Sequence, residues 1–157
     1  MKEGAALTAE VWFRRDWIIP SELGREKNVR NELLRTFQEL QLQEARIDEI
    51  MTAVSEAMLN AIEHGNRLAK DLPVKITMFI HPDRYTFWIT DQGIGMDIDA
   101  ATDVAQVRHR MDWEDPRGWG LQLMYHYADE VYALRHNGEF SIALDFLKIE
   151  AEEGNTI

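Results

Sequence analysis

The chain has 157 residues, and its 28 acidic and 17 basic side chains give a net charge of −11 with histidine neutral. That length makes about one domain. The excess of acid argues against a general nucleic-acid binder, which needs cationic surface to displace counterions from phosphates, and against an anionic membrane surface as main partner. With no cysteine, a disulfide scaffold, a zinc–thiolate site and a thiol nucleophile are excluded. No apolar stretch follows Met1-Lys2-Glu3-Gly4, and the apolar run Ile76 to Ile80 is far short of a membrane span. The expected location is cytoplasmic.

Glu10 to Ile19 reads as a strand, because Val11, Phe13, Trp17 and Ile19 roughly alternate. Pro20-Ser21 breaks it, with Ser21 placed as a helix N-cap. Val29, Leu33, Phe37 and Leu40 then recur at helical spacing. A second helix is expected from Ala45 to His64, with Ile47, Ile50, Met51, Val54, Met58, Ala61 and Ile62 inward. Gly65-Asn66 would stop it in the left-handed manner, and His64 would act as a C-terminal cap. Val74 to Ile80 and Tyr85 to Thr90 read as a hairpin turning at His81 to Arg84. Asp91-Gln92-Gly93-Ile94-Gly95 follows, then a polar stretch from Met96 to Arg117 long enough to suggest a lid. Gly118-Trp119-Gly120 closes that stretch. A helix from Leu121 to Ala128 leads to strands Glu130 to Arg135 and Phe140 to Leu147 around Asn137-Gly138.

The order β-α-α-β-β-lid-α-β-β predicts a two-layer α+β sandwich: a mixed, mainly antiparallel sheet with helices on one face. One domain over 1–148 and an acidic, frayed tail over 149–157 are expected. The five tryptophans read as core residues rather than stacking platforms.

Three features carry possible chemistry. Glu56, Asn60 and Glu63 share one face of the second helix, roughly 180–240° from Val54 at about 100° per residue. A solvated face is the plainer reading, although asparagine is a poor helix-interior residue. The two glycines of Asp91-Gln92-Gly93-Ile94-Gly95 allow a tight bend and close approach of a ligand, but an ordinary turn does so too. Gly118-Trp119-Gly120 opens a helix whose free N–H groups suit phosphate. Each signal is weak alone.

Together and in this order, they resemble a known family. Val54-Ser55-Glu56-Ala57-Met58-Leu59-Asn60-Ala61-Ile62-Glu63-His64-Gly65 looks like the N box of the GHKL ATPase/kinase superfamily, in the form found in bacterial anti-sigma factor serine kinases. Asp91 to Gly95 resembles the next glycine box, and Arg117-Gly118-Trp119-Gly120-Leu121 the one that closes the ATP lid. The resemblance implies a Bergerat-type fold and ATP with Mg²⁺ as cofactors. It implies that Asn60 is the metal ligand, a hard oxygen donor for a hard ion. Asp91 would read the adenine amino group, with Gly93 and Gly95 leaving room for base and ribose. Arg117, Gly118, Gly120 and Leu121 would contact the nucleotide from the lid. Glu56 would be the general base for a partner serine. The sequence departs from the family where a Gly-Thr pair often enters the last strand, since Glu139-Phe140 stands there.

The implied function is an anti-sigma factor that binds a sigma factor and phosphorylates a serine of a STAS-domain anti-anti-sigma protein, acting as a homodimer. A switch kinase of the same fold that regulates a phosphatase, and a non-catalytic ATP-sensing module, are the alternatives. There is no P-loop motif. His109-Arg110-Met111-Asp112 lacks the companion motifs of a protein-kinase catalytic loop, and the five histidines contain no His-x-x-x-His pair. The charge is uneven. Residues 1–50 hold 8 basic and 10 acidic side chains, net −2, whereas 51–157 hold 9 and 18, net −9. A polyanionic nucleotide in the acidic half requires counter-charge from Mg²⁺, backbone N–H groups and Arg108, Arg110 and Arg117.

Overall fold

The computed structural model describes residues 10–93 and 118–148, with backbone alone for 118–121. Within them, β1 (Phe13–Pro20), β2 (Pro73–Ile80), β3 (Arg84–Asp91), β4 (Glu130–His136) and β5 (Glu139–Leu147) form one sheet in the order β1-β2-β3-β5-β4. Every pairing is antiparallel. The helices are α1 (Glu26–Glu39), α2 (Glu44–Asn60) and α3 (Gly118–Tyr127). The expected α+β sandwich is present, with a wholly antiparallel sheet among the described strands. The lid expected over 96–117 and the tail over 149–157 lie outside the described residues.

Period-two alternation sets the sheet's two faces. Ile76 faces Trp17 on one side and Ile89 on the other, and Ile89 faces Ile142, which faces Ala133. This row points at the helices. Val29, Leu33 and Phe37 of α1, Ile50, Val54 and Met58 of α2, and Met124 of α3 close over it in one buried cluster. Phe37 meets Tyr85 and Phe87 edge-on at 5.9 and 6.1 Å, and Phe87 meets Phe146 at 5.9 Å. Each such side chain contributes about 1.5–3 kcal/mol on burial.

The opposite face has a polar weave. Thr77 donates to Asp16 at 2.7 Å, Thr86 to Asp145 at 2.5 Å, and Thr90 pairs with Ser141 at 2.6 Å. These cross-strand pairs hold neighbouring strands in register.

Several local expectations are corrected. Ser21 is not an N-cap. It is buried and donates to the Leu72 carbonyl at 2.6 Å, and α1 starts five residues later behind Arg25 with no side-chain cap. The stop at Gly65-Asn66 is not left-handed, since Asn66 has φ −95°. The positive angles fall on Arg67 (φ 51°) and Leu68 (φ 60°). The helix expected from Leu121 begins at Gly118, so both glycines lie inside its first turn.

The described tryptophans do not build the core. Trp12 is 60% exposed, and Trp88 lies half-buried on the outer face. Trp17 packs against the core only in part, because its indole N–H needs a partner and donates to Glu32 at 2.6 Å. Trp113 and the Trp119 side chain lie outside the described residues. No described helix is long and apolar enough to cross a membrane.

The β4–β5 turn is as its sequence requires: Asn137 has φ 50° and Gly138 φ 80°, the mirror-image turn that fits strand twist. A Cβ at Gly138 would meet no atom within 4 Å, so Gly138→Ala isolates backbone strain. It should cost about 1–2 kcal/mol and lower Tm by roughly 2–8 °C in thermal unfolding. An unchanged Tm would contradict this turn geometry.

Candidate nucleotide-binding site

Helix α2 does not end at Asn60. It widens into a single π-helical turn, Ala61–Gly65, closed by the Asn66 N–H donating to the Ala61 carbonyl at 2.8 Å. Such turns recur at functional sites because one extra residue re-aims the side chains that follow. Here Ala57, Asn60, Ala61, Glu63 and His64 line one wall of a cleft of about 180 Å³. Gly65 and Arg67 complete that side. The floor is apolar, made by Ile89 of β3 with Phe140 and Ile142 of β5, and Asp91 stands at the end of β3.

The two sides meet at a backbone contact that only glycine permits. A Cβ on Gly65 would stand 2.1 Å from Asp91 Oδ2, and one on Gly93 would stand 1.2 Å from the Gly65 carbonyl oxygen. Both positions therefore demand glycine for space, not for dihedral freedom.

Asp91 is 4% exposed. Its Oδ1 accepts the Gly93 N–H at 3.0 Å. Burial raises its pKa to about 6, opposed by the Gly93 hydrogen bond and by the charge of Arg135. Its carboxyl group thus lies against the cleft, able to accept a hydrogen bond when ionised and to donate one when protonated.

Asn60 and Asp91 are brought to the same cleft, on opposite walls. Glu56 sits one helical turn before Asn60 and is half-buried, outside the lining residues. Among the described residues, neither the Asn60 amide nor the Glu56 carboxylate has a hydrogen-bond partner. No cluster of three or more His, Asp or Glu that could hold a metal occurs among the described residues. This donor set fits a Mg²⁺ ion that takes one protein oxygen and the rest of its ligands from phosphate and water. It does not fit an all-protein cage.

Gly93 packs under the Gly65 carbonyl. Gly95 and Arg117 lie outside the described residues. Gly118, Gly120 and Leu121 form the first turn of α3, which packs against α2. His64 lies in the last turn of the helix, where a cation is favoured, and faces the cleft beside Glu63 (3.9 Å).

Sequence reasoning missed Arg67, Asn66 and Phe140. Phe140 occupies the place of the family's Gly-Thr pair, opposite Asp91 in the β3–β5 ladder, while Glu139 turns outward to Lys75 at 3.0 Å. The period-two match of Ile89, Phe140 and Ile142 to one face is the signal that could have found the floor.

The raised pKa of Asp91 has a signed consequence. The folded state keeps a proton that the unfolded state releases above its ordinary pKa of 3.8. The resulting stability is full below that value and lost as pH rises through about 6. Asp91→Asn removes this titration and keeps the acceptor for Gly93. Between pH 4 and 7 the variant should gain up to about 3 kcal/mol relative to the parent, at 1.36 kcal/mol per unit, in urea unfolding. A difference independent of pH would contradict a buried, titrating Asp91.

Comparison with known proteins agrees with this fold. The family model described as "Histidine kinase-like ATPase domain" matches residues 19–144. The serine-protein kinase RsbW of Bacillus subtilis is 30% identical over 113 residues, covering 70% of this chain and 71% of that protein. An anti-sigma F factor of Clostridium beijerinckii is 38% identical over 95 residues, covering 59% and 65%. Among solved structures, the RsbU and RsbW domains of a Mycobacterium tuberculosis protein align with TM-score 0.62 at 17% identity, over 88% of this chain and 34% of that one. The SiaB–SiaC complex of Pseudomonas aeruginosa contributes a chain with TM-score 0.65 at 13% identity, over 92% and 94%. These two support the fold. By its sequence match and its architecture, the chain belongs to the histidine kinase-like ATPase domain family.

Proposed function

We propose that this chain is an anti-sigma factor with ATP-dependent serine kinase activity, which binds a sigma factor and phosphorylates a serine of a STAS-type anti-anti-sigma protein. The observation that carries the reading is the pairing, in one glycine-walled cleft, of an Asn60 amide without a side-chain partner among the described residues with the buried carboxyl of Asp91. The names of the relatives, a serine-protein kinase and an anti-sigma factor, supply the class of reaction and of partner.

In this reading Asp91 accepts the adenine amino group, and the apolar floor of Ile89, Phe140 and Ile142 excludes water around the base. When bound, Mg²⁺ would supply neutralisation of the phosphate charge. Asn60 Oδ1 is the protein oxygen offered to it. Glu56, one turn earlier on α2, takes the proton of the incoming serine hydroxyl. The family resemblance implies that Arg117, Gly118, Gly120 and Leu121 would contact the nucleotide from the lid, and that Gly95 would leave room for base and ribose. The acidic balance of this half of the chain makes those cationic and N–H groups necessary.

The reading extends to a homodimer. Edge strand β1 leaves Ile18 70% exposed, with Phe13 and the preceding Trp12 also solvent-facing. An edge with no strand partner among the described residues, bearing such side chains, invites a second chain.

Incubation with labelled ATP and candidate STAS proteins tests the enzyme. Phosphate should appear on a serine of the cognate partner. Glu56→Gln should lower that transfer by roughly 10²–10⁴-fold while ATP binding persists. ATP binding without transfer to any cognate partner would favour the ATP-sensing module instead. An unchanged rate in Glu56→Gln would remove that residue from the chemistry. Co-purification of a sigma factor separates the anti-sigma reading from a switch kinase acting on a phosphatase pathway.

A further inference from the structure

Asn66 follows the π-turn and is 2% exposed. Its Oδ1 accepts the Gln92 N–H at 2.7 Å. Its Nδ2 faces three acceptors: Ser21 Oγ at 2.9 Å and the carbonyls of Leu72 and Pro73, each at 3.1 Å. Its backbone N–H closes the π-turn on Ala61, and its carbonyl accepts the Ala69 N–H at 3.0 Å. One side chain thus ties together the π-turn, the connector after β1, the entry to β2 and the exit from β3.

The exit from β3 is where this matters. The β2–β3 register ends at Thr90 and the β3–β5 register at Asp91. Beyond Asp91 the chain has no strand partner among the described residues, and the Gln92 N–H would otherwise lack an acceptor there. Asn66 Oδ1 takes the place of the missing ladder carbonyl. It fixes the peptide that follows Asp91, and with it the direction of the Asp91 carboxyl group. The Gly65–Gly93 contact leaves no slack on the same segment.

The chemistry is specific to asparagine. An acceptor must face Gln92 while donors face three oxygens, and only a primary amide of this length offers both. Aspartate would set a carboxylate against three acceptors, and serine would be too short to span the gap.

We propose that Asn66 is the positioning residue for base recognition in the cleft, acting through Gln92 to aim Asp91 at the exocyclic amino group of an adenine nucleotide. The inference rests on the ATP reading of the cleft.

Asn66→Ala tests it, with Val29→Ala in the α1 core as a control for lost stability alone. Dissociation constants for ATP and GTP are measured on each folded protein. The parent should prefer ATP. Asn66→Ala should lose at least tenfold in that ATP/GTP preference, while Val29→Ala lowers Tm and keeps it. Amide hydrogen exchange at Gln92 in the nucleotide-free parent needs no variant to fold, and should show strong protection. Unprotected exchange at Gln92, or an Asn66→Ala protein that keeps the parent's preference, would overturn the proposal. A parent that binds no ATP would defeat the ATP reading and, with it, the base-recognition role. Gln92 protection would still report whether Asn66 holds the turn.

Discussion

The cleft exists because two backbone segments touch where no side chain can intervene. The Gly65 carbonyl lies so close to Gly93 that a single methyl group there would overlap it, and Gly65 itself faces the Asp91 carboxylate. This contact decides where α2 ends relative to the sheet. It makes the helix leave through a π-turn, and it buries the Asp91 carboxyl deeply enough to bring its pKa to about 6. A regular α-helix through residue 65 would pair the Ala61 carbonyl with the Gly65 N–H in place of the Asn66 N–H that now closes the turn.

The fold supplies the rigidity for that contact. The inward rows of the sheet run without interruption from Trp17 to Ala133 and are capped by α1, α2 and α3. The residues that line the cleft are then drawn in part from element ends: the last α-helical residue of α2, the last residue of β3, the second residue of β5. Such positions keep a rigid neighbour on one side and freedom on the other, which is why sites collect there. The Lys75–Glu139 ion pair sits at the same end of the sheet, with both side chains substantially exposed, so its contribution is small.

How much of this was legible depended on the kind of force involved. Strand alternation and helical spacing are written in single residues. Hence β2, β3, β5 and the inward faces of α1 and α2 were readable, as was the Asn137-Gly138 turn. The Glu56/Asn60 pair and the Asp91 turn were readable as motifs, and the cleft does bring Asn60 and Asp91 together. What escaped was long-range. Ser21 looked like a helix cap because caps are local, but its partners, Leu72 and Asn66, lie 51 and 45 residues away. The π-turn escaped because nothing in the local spacing of Ala61 to Gly65 departs from an ordinary helix. Trp17 looked like core by composition, yet its N–H had to find Glu32 on α1.

In the proposed function this cleft holds ATP through a metal ion offered a single protein oxygen. Calorimetric titration of ATP, with Mg²⁺ present and with it chelated, tests it most directly. Saturable binding at one site per chain, weakened at least tenfold on chelation and equally weak in Asn60→Ala with Mg²⁺ present, is the predicted result. Equal affinity with and without Mg²⁺, or no binding at all, would contradict it.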